Sequence, residues 1–174
     1  MKVLKQTLTL FALLGVFSTT AFAQGSATVN ASATVQSAFT VNQFADLLFG
    51  TITTSQTPIT IAATDAGAGA VQISGASAGV DLGVTIDFPS TLTDGTPAND
   101  LTFGSYTAAY TTDGSSDATS AAGFGTLNSQ TITGSFQATA NDIYVFVGGA
   151  ITDASNGVAG NTYQNTITVQ VDYN

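Results

Sequence analysis

A catalytic motif of the G-x-S-x-G type occurs at residues 75–79 (GASAG), with the spacing of a nucleophile elbow. The serine of such a turn attacks a substrate only when a neighbouring base accepts its proton. The chain contains no histidine, and its two basic side chains, Lys2 and Lys5, both lie at the N-terminus. We therefore predict that residues 75–79 form a turn of small residues between two strands.

Aspartate supplies every acidic side chain of the protein. Two aspartates held about 5–9.5 Å apart in a cleft could act as a hydrolase pair. Aspartates in loops also offer the hard oxygen ligands that calcium prefers, and the candidates are Asp94, Asp100, Asp113 and Asp117. Neither loop fits an EF-hand, and solvated turns account for the same residues. We expect a protein without catalytic residues or cofactors, with calcium binding as the alternative.

Four aromatic side chains are candidates for a sugar-binding face: Phe103, Tyr106, Tyr110 and Phe124. The chain has no tryptophan to serve as a larger stacking platform. Aromatic residues are also frequent in strands because they pack well on a half-buried sheet surface. Core packing is therefore the competing interpretation of these four residues.

The first 23 residues have the organisation of a secretory signal peptide. Lys2 and Lys5 make the start positive, residues 8–17 are apolar, and residues 21–23 (AFA) form a small-x-small cleavage site. The apolar run is shorter than the roughly 20 residues that a membrane-spanning helix needs. We expect cleavage before Gln24 and secretion through the periplasm to the cell surface or the extracellular space.

Loss of residues 1–23 removes both lysines and takes the formal net charge from −9 to −11. Nucleic-acid binding needs cationic side chains that displace phosphate counterions, and residues 24–174 contain none. The absence of cysteine excludes disulfides and thiolate metal sites. We therefore predict a protein that binds no nucleic acid and does not insert into a membrane after cleavage of the signal.

Apolar residues recur with period two along much of the chain, which is typical of half-buried strands. The alternation is clearest at residues 26–36, 80–88 and 163–173. Shorter patterns predict strands at residues 47–53, 59–63, 70–74, 101–110, 131–139 and 143–147, and an exposed, mobile loop at residues 111–123. Residues 143–147 are apolar on both faces, which favours a central strand. The fold class is all-β, with residues 24–174 forming a single antiparallel β-sandwich.

Several stretches resemble a bacterial secreted family called domain of unknown function 4402. They are residues 31–35 (ASATV), 45–52 (ADLLFGTI), 145–151 (VFVGGAI), 160–163 (GNTY) and 168–174 (TVQVDYN). The family is similar to spore-coat protein U-like domains and to chaperone–usher pilin domains, which are secreted β-sandwiches that assemble outside the cell. The resemblance implies an Ig-like or pilin-like sandwich and no established activity.

The pilin similarity gives both ends of the chain an expected role. Residues 24–36 would be either the first strand of the domain itself or an assembly strand added to the sheet of a related subunit. The inward row of that strand would be Ala27, Val29, Ala31, Ala33 and Val35. The C-terminal strand carries the row Ile167, Val169, Val171 and Tyr173, with a penultimate tyrosine as in pilins.

The function expected from these features is that of an exported structural subunit of a surface fibre, fimbria-like filament, coat or extracellular matrix. The alternative is a cell-surface adhesin or a glycan- or calcium-binding module. A ligand-dependent rise in melting temperature without polymer formation would distinguish the binding module from the structural subunit.

Overall fold

Alternating apolar side chains fold residues 35–174 into two antiparallel sheets that share one core. The computed structural model describes residues 29–124 and 130–174. The chain divides into two units, residues 1–34 and residues 35–174. The described part of the first unit, residues 29–34, forms no helix or strand. The second unit is a β-sandwich, so the predicted fold class is confirmed.

The larger sheet, sheet A, follows the order β1-β3-β9-β6-β5, with β2 paired to β9 and β7 paired to β6. Its strands are β1 Thr40–Ala45, β2 Ile59–Ile61, β3 Gly69–Ser74, β5 Thr91–Leu92, β6 Leu101–Thr111, β7 Ala122–Gly123 and β9 Asp142–Asp153. The smaller sheet, sheet B, has the order β10-β4-β8. Its strands are β4 Asp81–Asp87, β8 Thr131–Gln137 and β10 Thr168–Tyr173.

The core lies between the two sheets and is built from the inward rows of their strands. In sheet B, Leu82 and Ile86 of β4 and Ile132 of β8 are buried. Alternate residues of β4, such as Asp81 and Asp87, point outwards and are exposed. The pattern that predicts a half-buried strand at residues 80–88 is therefore confirmed, because β4 has one apolar face and one polar face.

The strand β9 is buried on both faces, as its continuous apolar sequence predicts. Ile143, Val145 and Val147 face sheet B. Tyr144 and Phe146 face the opposite side, where they pack with a second group of buried residues: Ala63, Ala68, Ala70, Ala109 and Ala118. Sheet A thus carries an apolar layer on both surfaces, which explains the central position of β9 between β3 and β6.

Some predicted elements are wrong or shifted. Residues 47–53 form no strand, although Leu47 and Phe49 are half-buried against the core. The edge strand β1 lies instead at Thr40–Ala45, where five of the six residues are exposed and the apolar residues after Val41 do not follow period two. The predicted strand at 26–36 is absent over residues 29–36, and residues 26–28 lie outside the described part. The C-terminal strand begins only at Thr168.

The predicted loop at residues 111–123 contains more structure than expected. It includes the short 3-10 helix Ala118–Ser120 and the strand β7, and Ala118 is buried in the second apolar group. The other short helix is Pro97–Asn99. In residues 29–124 and 130–174, no helix has the length and apolar character needed to cross a membrane.

Candidate functional site

The N-terminal segment, defined here as residues 29–36, has no strand partner in the described part of the chain. Its two valines, Val29 and Val35, are 93% and 92% exposed. Ala31 and Ala33 are exposed as well, and Ala27 lies outside the described residues. The predicted row of apolar side chains is therefore open to solvent over all the positions that the structure describes.

The sandwich fixes the chain just after this segment, at Ser37. The Ser37 hydroxyl donates to the carbonyl oxygen of Gly75 at 3.1 Å and lies 2.7 Å from the hydroxyl of Ser77. The carbonyl oxygen of Ser37 accepts a hydrogen bond from the Tyr173 hydroxyl at 2.5 Å. These contacts attach the start of the sandwich to the end of its last strand, a role of Ser37 that sequence reasoning missed.

The C-terminal row packs on the core but is incompletely covered. Ile167, Val169, Val171 and Tyr173 are all half-buried, and the last three alternate with exposed residues of β10. The Tyr173 ring makes an edge contact with Phe39, with the ring centroids 5.0 Å apart. In the part of the chain that the structure describes, β10 pairs only with β4 and is therefore an edge strand of sheet B. The predicted C-terminal strand is thus present from Thr168, and its outer edge has no partner among residues 29–124 and 130–174.

Exposed apolar side chains continue from the N-terminal segment into the edge of sheet A. Val41 of β1 is 38% exposed, and Phe44 is 50% exposed where it covers Tyr144. Val41 pairs with Ile73, which is fully buried, so Val41 lies on the inner surface of sheet A without full cover. The sequence signal that could have predicted the inward position of Val41 is its spacing from Phe39, which continues the apolar alternation beyond residue 36.

The GASAG motif at residues 75–79 forms the turn from β3 to β4, as predicted. Gly75 and Gly79 have φ values of +85° and +83°, a conformation that favours glycine. The Ser77 hydroxyl lies against that of Ser37 and not against a base. The motif therefore links sheet A to sheet B, and its glycines serve the geometry of the turn.

The first pair of calcium candidates has separate protein partners. The Asp94 carboxylate accepts hydrogen bonds from the side-chain amides of Asn99 and Asn161, at 3.0 and 2.6 Å, and from the Thr96 amide at 2.9 Å. The bond from Asn99 is the largest influence that lowers the pKa of Asp94. Asp100 accepts from the Thr91 hydroxyl at 3.3 Å, and its other oxygen is buried without a partner among the described residues.

The second pair of calcium candidates caps its own turns. Asp113 accepts from the Ser115 amide at 3.0 Å, whereas Asp117 accepts from both the amide and the hydroxyl of Thr119 at 2.9 and 2.7 Å. The hydroxyl bond is the largest influence lowering the pKa of Asp117. Within residues 29–124 and 130–174, no three acidic side chains gather at one point. Calcium binding stays a prediction that a melting-temperature titration with calcium would test.

The four aromatic candidates all contribute to the core or pack against it. Phe103 is buried, while Tyr106, Tyr110 and Phe124 are half-buried against the core. The Tyr106 hydroxyl donates to the carbonyl oxygens of Pro89 and Phe103. The Tyr110 ring stacks on Phe136 at 4.8 Å. Core packing therefore accounts for these four residues, and sugar binding stays a prediction.

Two features remain among the described residues: residues 29–36 are exposed and form no strand, and the inward row of β10 is only half-buried. Comparison with family models, with curated proteins and with solved structures gives no match to this chain.

Proposed function

We propose that this protein is an exported, non-enzymatic structural subunit that assembles by β-strand addition into a surface fibre, coat or extracellular matrix. The observation that carries the proposal is the exposure of Val29 and Val35, at 93% and 92%, in an alternating segment that pairs with no strand among the described residues. Burying apolar side chains is favourable, so such a row gains free energy when a sheet receives it.

The charge distribution supports the same role. The exported chain would carry a net charge of −11, after loss of the two lysines from a total of −9, and copies would repel each other. Residues 26–44 contain no charged side chain, however, so the segment that would enter a neighbour adds no repulsion at the contact. At physiological salt, charges further than about 8 Å apart are largely screened.

The chemistry of the side chains supports a non-enzymatic role. A nucleophilic serine needs an adjacent base, and residues 24–174 contain no histidine, lysine or cysteine. The hydrolase alternative would need two aspartates facing each other in a cleft. The aspartates best placed in loops, Asp94 and Asp117, already accept several hydrogen bonds from their own loops.

The test is to express the full chain in a secreting bacterium and to recover the protein outside the cytoplasm. Intact-mass measurement of that material identifies its N-terminus, and the expected terminus is Gln24. Electron microscopy and sedimentation then measure assembly. We expect polymers from the wild type and monomers from a variant that lacks residues 24–36. The wild-type monomer, taken before it assembles, should have the same melting temperature as the variant.

A matched control keeps the composition but breaks the alternation. Exchanging Thr34 with Val35 and Thr28 with Val29 moves both valines to the other face of the strand. We expect this variant to resemble the deletion. Polymers that survive removal of residues 24–36, or a wild type that stays monomeric at high concentration, would contradict the proposal, as would substrate turnover that depends on an aspartate pair.

A further inference from the structure

The outer face of sheet B carries polar side chains on all three of its strands, and those at its two ends are bonded to the chain. Thr131 donates to the Asp87 carboxylate at 2.6 Å, and the Gln137 side-chain amide donates to the Gly79 carbonyl oxygen at 3.4 Å. On the rest of the face, five side chains make no hydrogen bond within residues 29–124 and 130–174: Thr85, Thr133, Ser135, Asp172 and Asn174. The fold therefore leaves these hydrogen-bonding groups available to another molecule.

The five side chains surround a shallow groove, termed the Gly83 groove, whose floor is the backbone of β4 at Gly83. Its volume is about 400 Å³, within the range of about 300–1,000 Å³ that is usual for ligand clefts. Polar groups that converge on one cleft fix the orientation of a ligand. The unused hydrogen-bonding groups of sheet B are therefore gathered at one place and not scattered over its face.

The glycine at the floor of the groove has no reason in the backbone of β4. Gly83 pairs with Asp172 and with Ser135 without a bulge on either side, and its φ lies outside the left-handed region. A Cβ atom at this position would meet no heavy atom closer than 3.4 Å, and that atom belongs to the exposed side chain of Asn174. Glycine inside a regular strand often marks a place where a ligand approaches the backbone closely.

The register of sheet B sets the width of the groove. Neighbouring strands lie about 4.8 Å apart, so the backbones of Asp172 and Ser135, on either side of Gly83, are roughly 10 Å apart. Thr85 and Thr133 pair with each other two residues further along the strands. The space between these side chains admits a single sugar ring that lies on the backbone of Gly83.

The chemistry of the lining selects a ligand rich in hydroxyl groups and without negative charge. The Asp172 carboxylate only accepts hydrogen bonds, whereas the Asn174 amide and the hydroxyls of the other three side chains both donate and accept. Sugar hydroxyls match this mixture because each of them is a donor and an acceptor. Residues 24–174 contain no cationic side chain, so an anionic ligand would meet Asp172 without a compensating charge.

We propose that the Gly83 groove binds a neutral polysaccharide, with Asp172 and Asn174 bonded to hydroxyls on one side of a sugar ring and Thr133 and Ser135 to hydroxyls on the other. A polymer suits the site better than a free monosaccharide does. Clefts for small molecules bury most of the surface of their ligand, whereas this groove is shallow and covers one side of a ring. A polymer offers the same contact at every repeat of its chain.

This site is separate from the binding sites that the sequence suggests, because it uses neither the loop aspartates nor the four aromatic residues. It also goes beyond the proposed function and does not depend on assembly. The groove lies on the face of sheet B, whereas added strands pair at the edges of a sheet, so assembly would leave the groove open. Copies held in one fibre would present the groove repeatedly, and repeated weak contacts raise the overall affinity for a polymer.

The test is isothermal titration of the full chain, recovered outside the cytoplasm, with linear hexasaccharides of glucose, mannose, galactose and xylose. The hexasaccharide of galacturonic acid serves as the anionic probe. We expect saturable heat with at least one neutral hexasaccharide and none with the anionic one. Gly83→Val fills the floor of the groove, and we expect it to weaken binding at least tenfold, because side-chain atoms then occupy the place of the ring.

A matched pair of variants tests the wall of the groove without changing its shape. Thr133→Val and Thr168→Val each remove one exposed hydroxyl from the same face and keep a β-branched side chain, but Thr168 does not line the groove. We expect about fivefold weaker binding for the first, the effect of one net hydrogen bond, and less than twofold for the second, with equal melting temperatures. Equal weakening by both variants, equal binding of the anionic probe, or no heat with any neutral hexasaccharide would overturn the inference.

Discussion

Replacing Val29 and Val35 together by alanine separates the stability of the monomer from the stability of the assembly. Both valines are more than 90% exposed in the single chain, so their truncation removes no buried contact there. We expect the free energy of unfolding of the monomer to change by less than about 0.5 kcal/mol, as for ordinary surface substitutions.

In the assembled form the same substitution removes four buried methyl groups. At about 0.8 kcal/mol for each buried carbon, the pair of substitutions weakens the contact between copies by about 3.2 kcal/mol. Since about 1.4 kcal/mol corresponds to a factor of ten, the dissociation constant should rise roughly 200-fold. Sedimentation velocity over a concentration series measures this shift, and urea denaturation of the monomer measures its stability.

The control is Asn30→Ala combined with Thr34→Ala, which changes the outward row of the same segment. These two side chains would face solvent in the assembly, so we expect less than a fivefold change in the dissociation constant. Equal weakening by the two double variants would refute the assignment of an inward and an outward row. No weakening by the valine variant would refute the burial of this row altogether.

Acid should destabilise the folded chain at pH values below about 4, because hydrogen bonds depress the pKa values of three aspartates in the folded state. Full stability is expected above the unfolded pKa of about 3.9, and stability is lost as the pH falls through the lower pKa values of the folded state. Melting temperatures measured at pH 2–6 would show this loss. These aspartates are Asp94, Asp117 and Asp153. Tyr173→Phe removes the hydrogen bond to Ser37 but keeps the ring, so we expect a loss of about 1 kcal/mol and a melting temperature lower by about 2–4 °C. Gly148→Ala places a Cβ atom 2.5 Å from the amide nitrogen of Ala63, and urea denaturation should show a loss of about 1–3 kcal/mol. Gly104→Ala, whose Cβ atom would meet its nearest neighbour at 3.9 Å, should be nearly neutral by the same measurement.

The strands with a strong apolar pattern could be predicted from the sequence, and those at the edge could not. The alternation of Leu82, Val84 and Ile86 reports burial directly, and so does the continuous apolar run of β9. The edge strand β1 is mostly exposed, half of its residues are polar, and a bulge between Gln43 and Ala45 interrupts its period. Period two therefore identifies strands that cover a core, but not strands held mainly by backbone pairing.

The strand predicted at residues 47–53 is absent for a different reason, because here the apolar alternation is present without a strand. Leu47 and Phe49 face the core as their spacing suggests, but the backbone has no strand partner there and Gly50 adopts a φ of +70°. Alternation reports where side chains point and does not report whether a neighbouring backbone is present. The contacts of Ser37 were equally inaccessible, because they join residues 40 and 136 positions apart in the sequence.

The position of β9 in the chain affects when the sandwich can form. Its partners β2, β3 and β6 all precede it, and β3 lies about seventy residues earlier in the chain. Until residues 142–153 have been synthesised, these three strands lack the central strand with which they pair. Distant pairings of this kind slow folding. A growing chain with this topology stays unfolded for longer, and the export proposed above would require the chain to be unfolded when it meets a translocation channel.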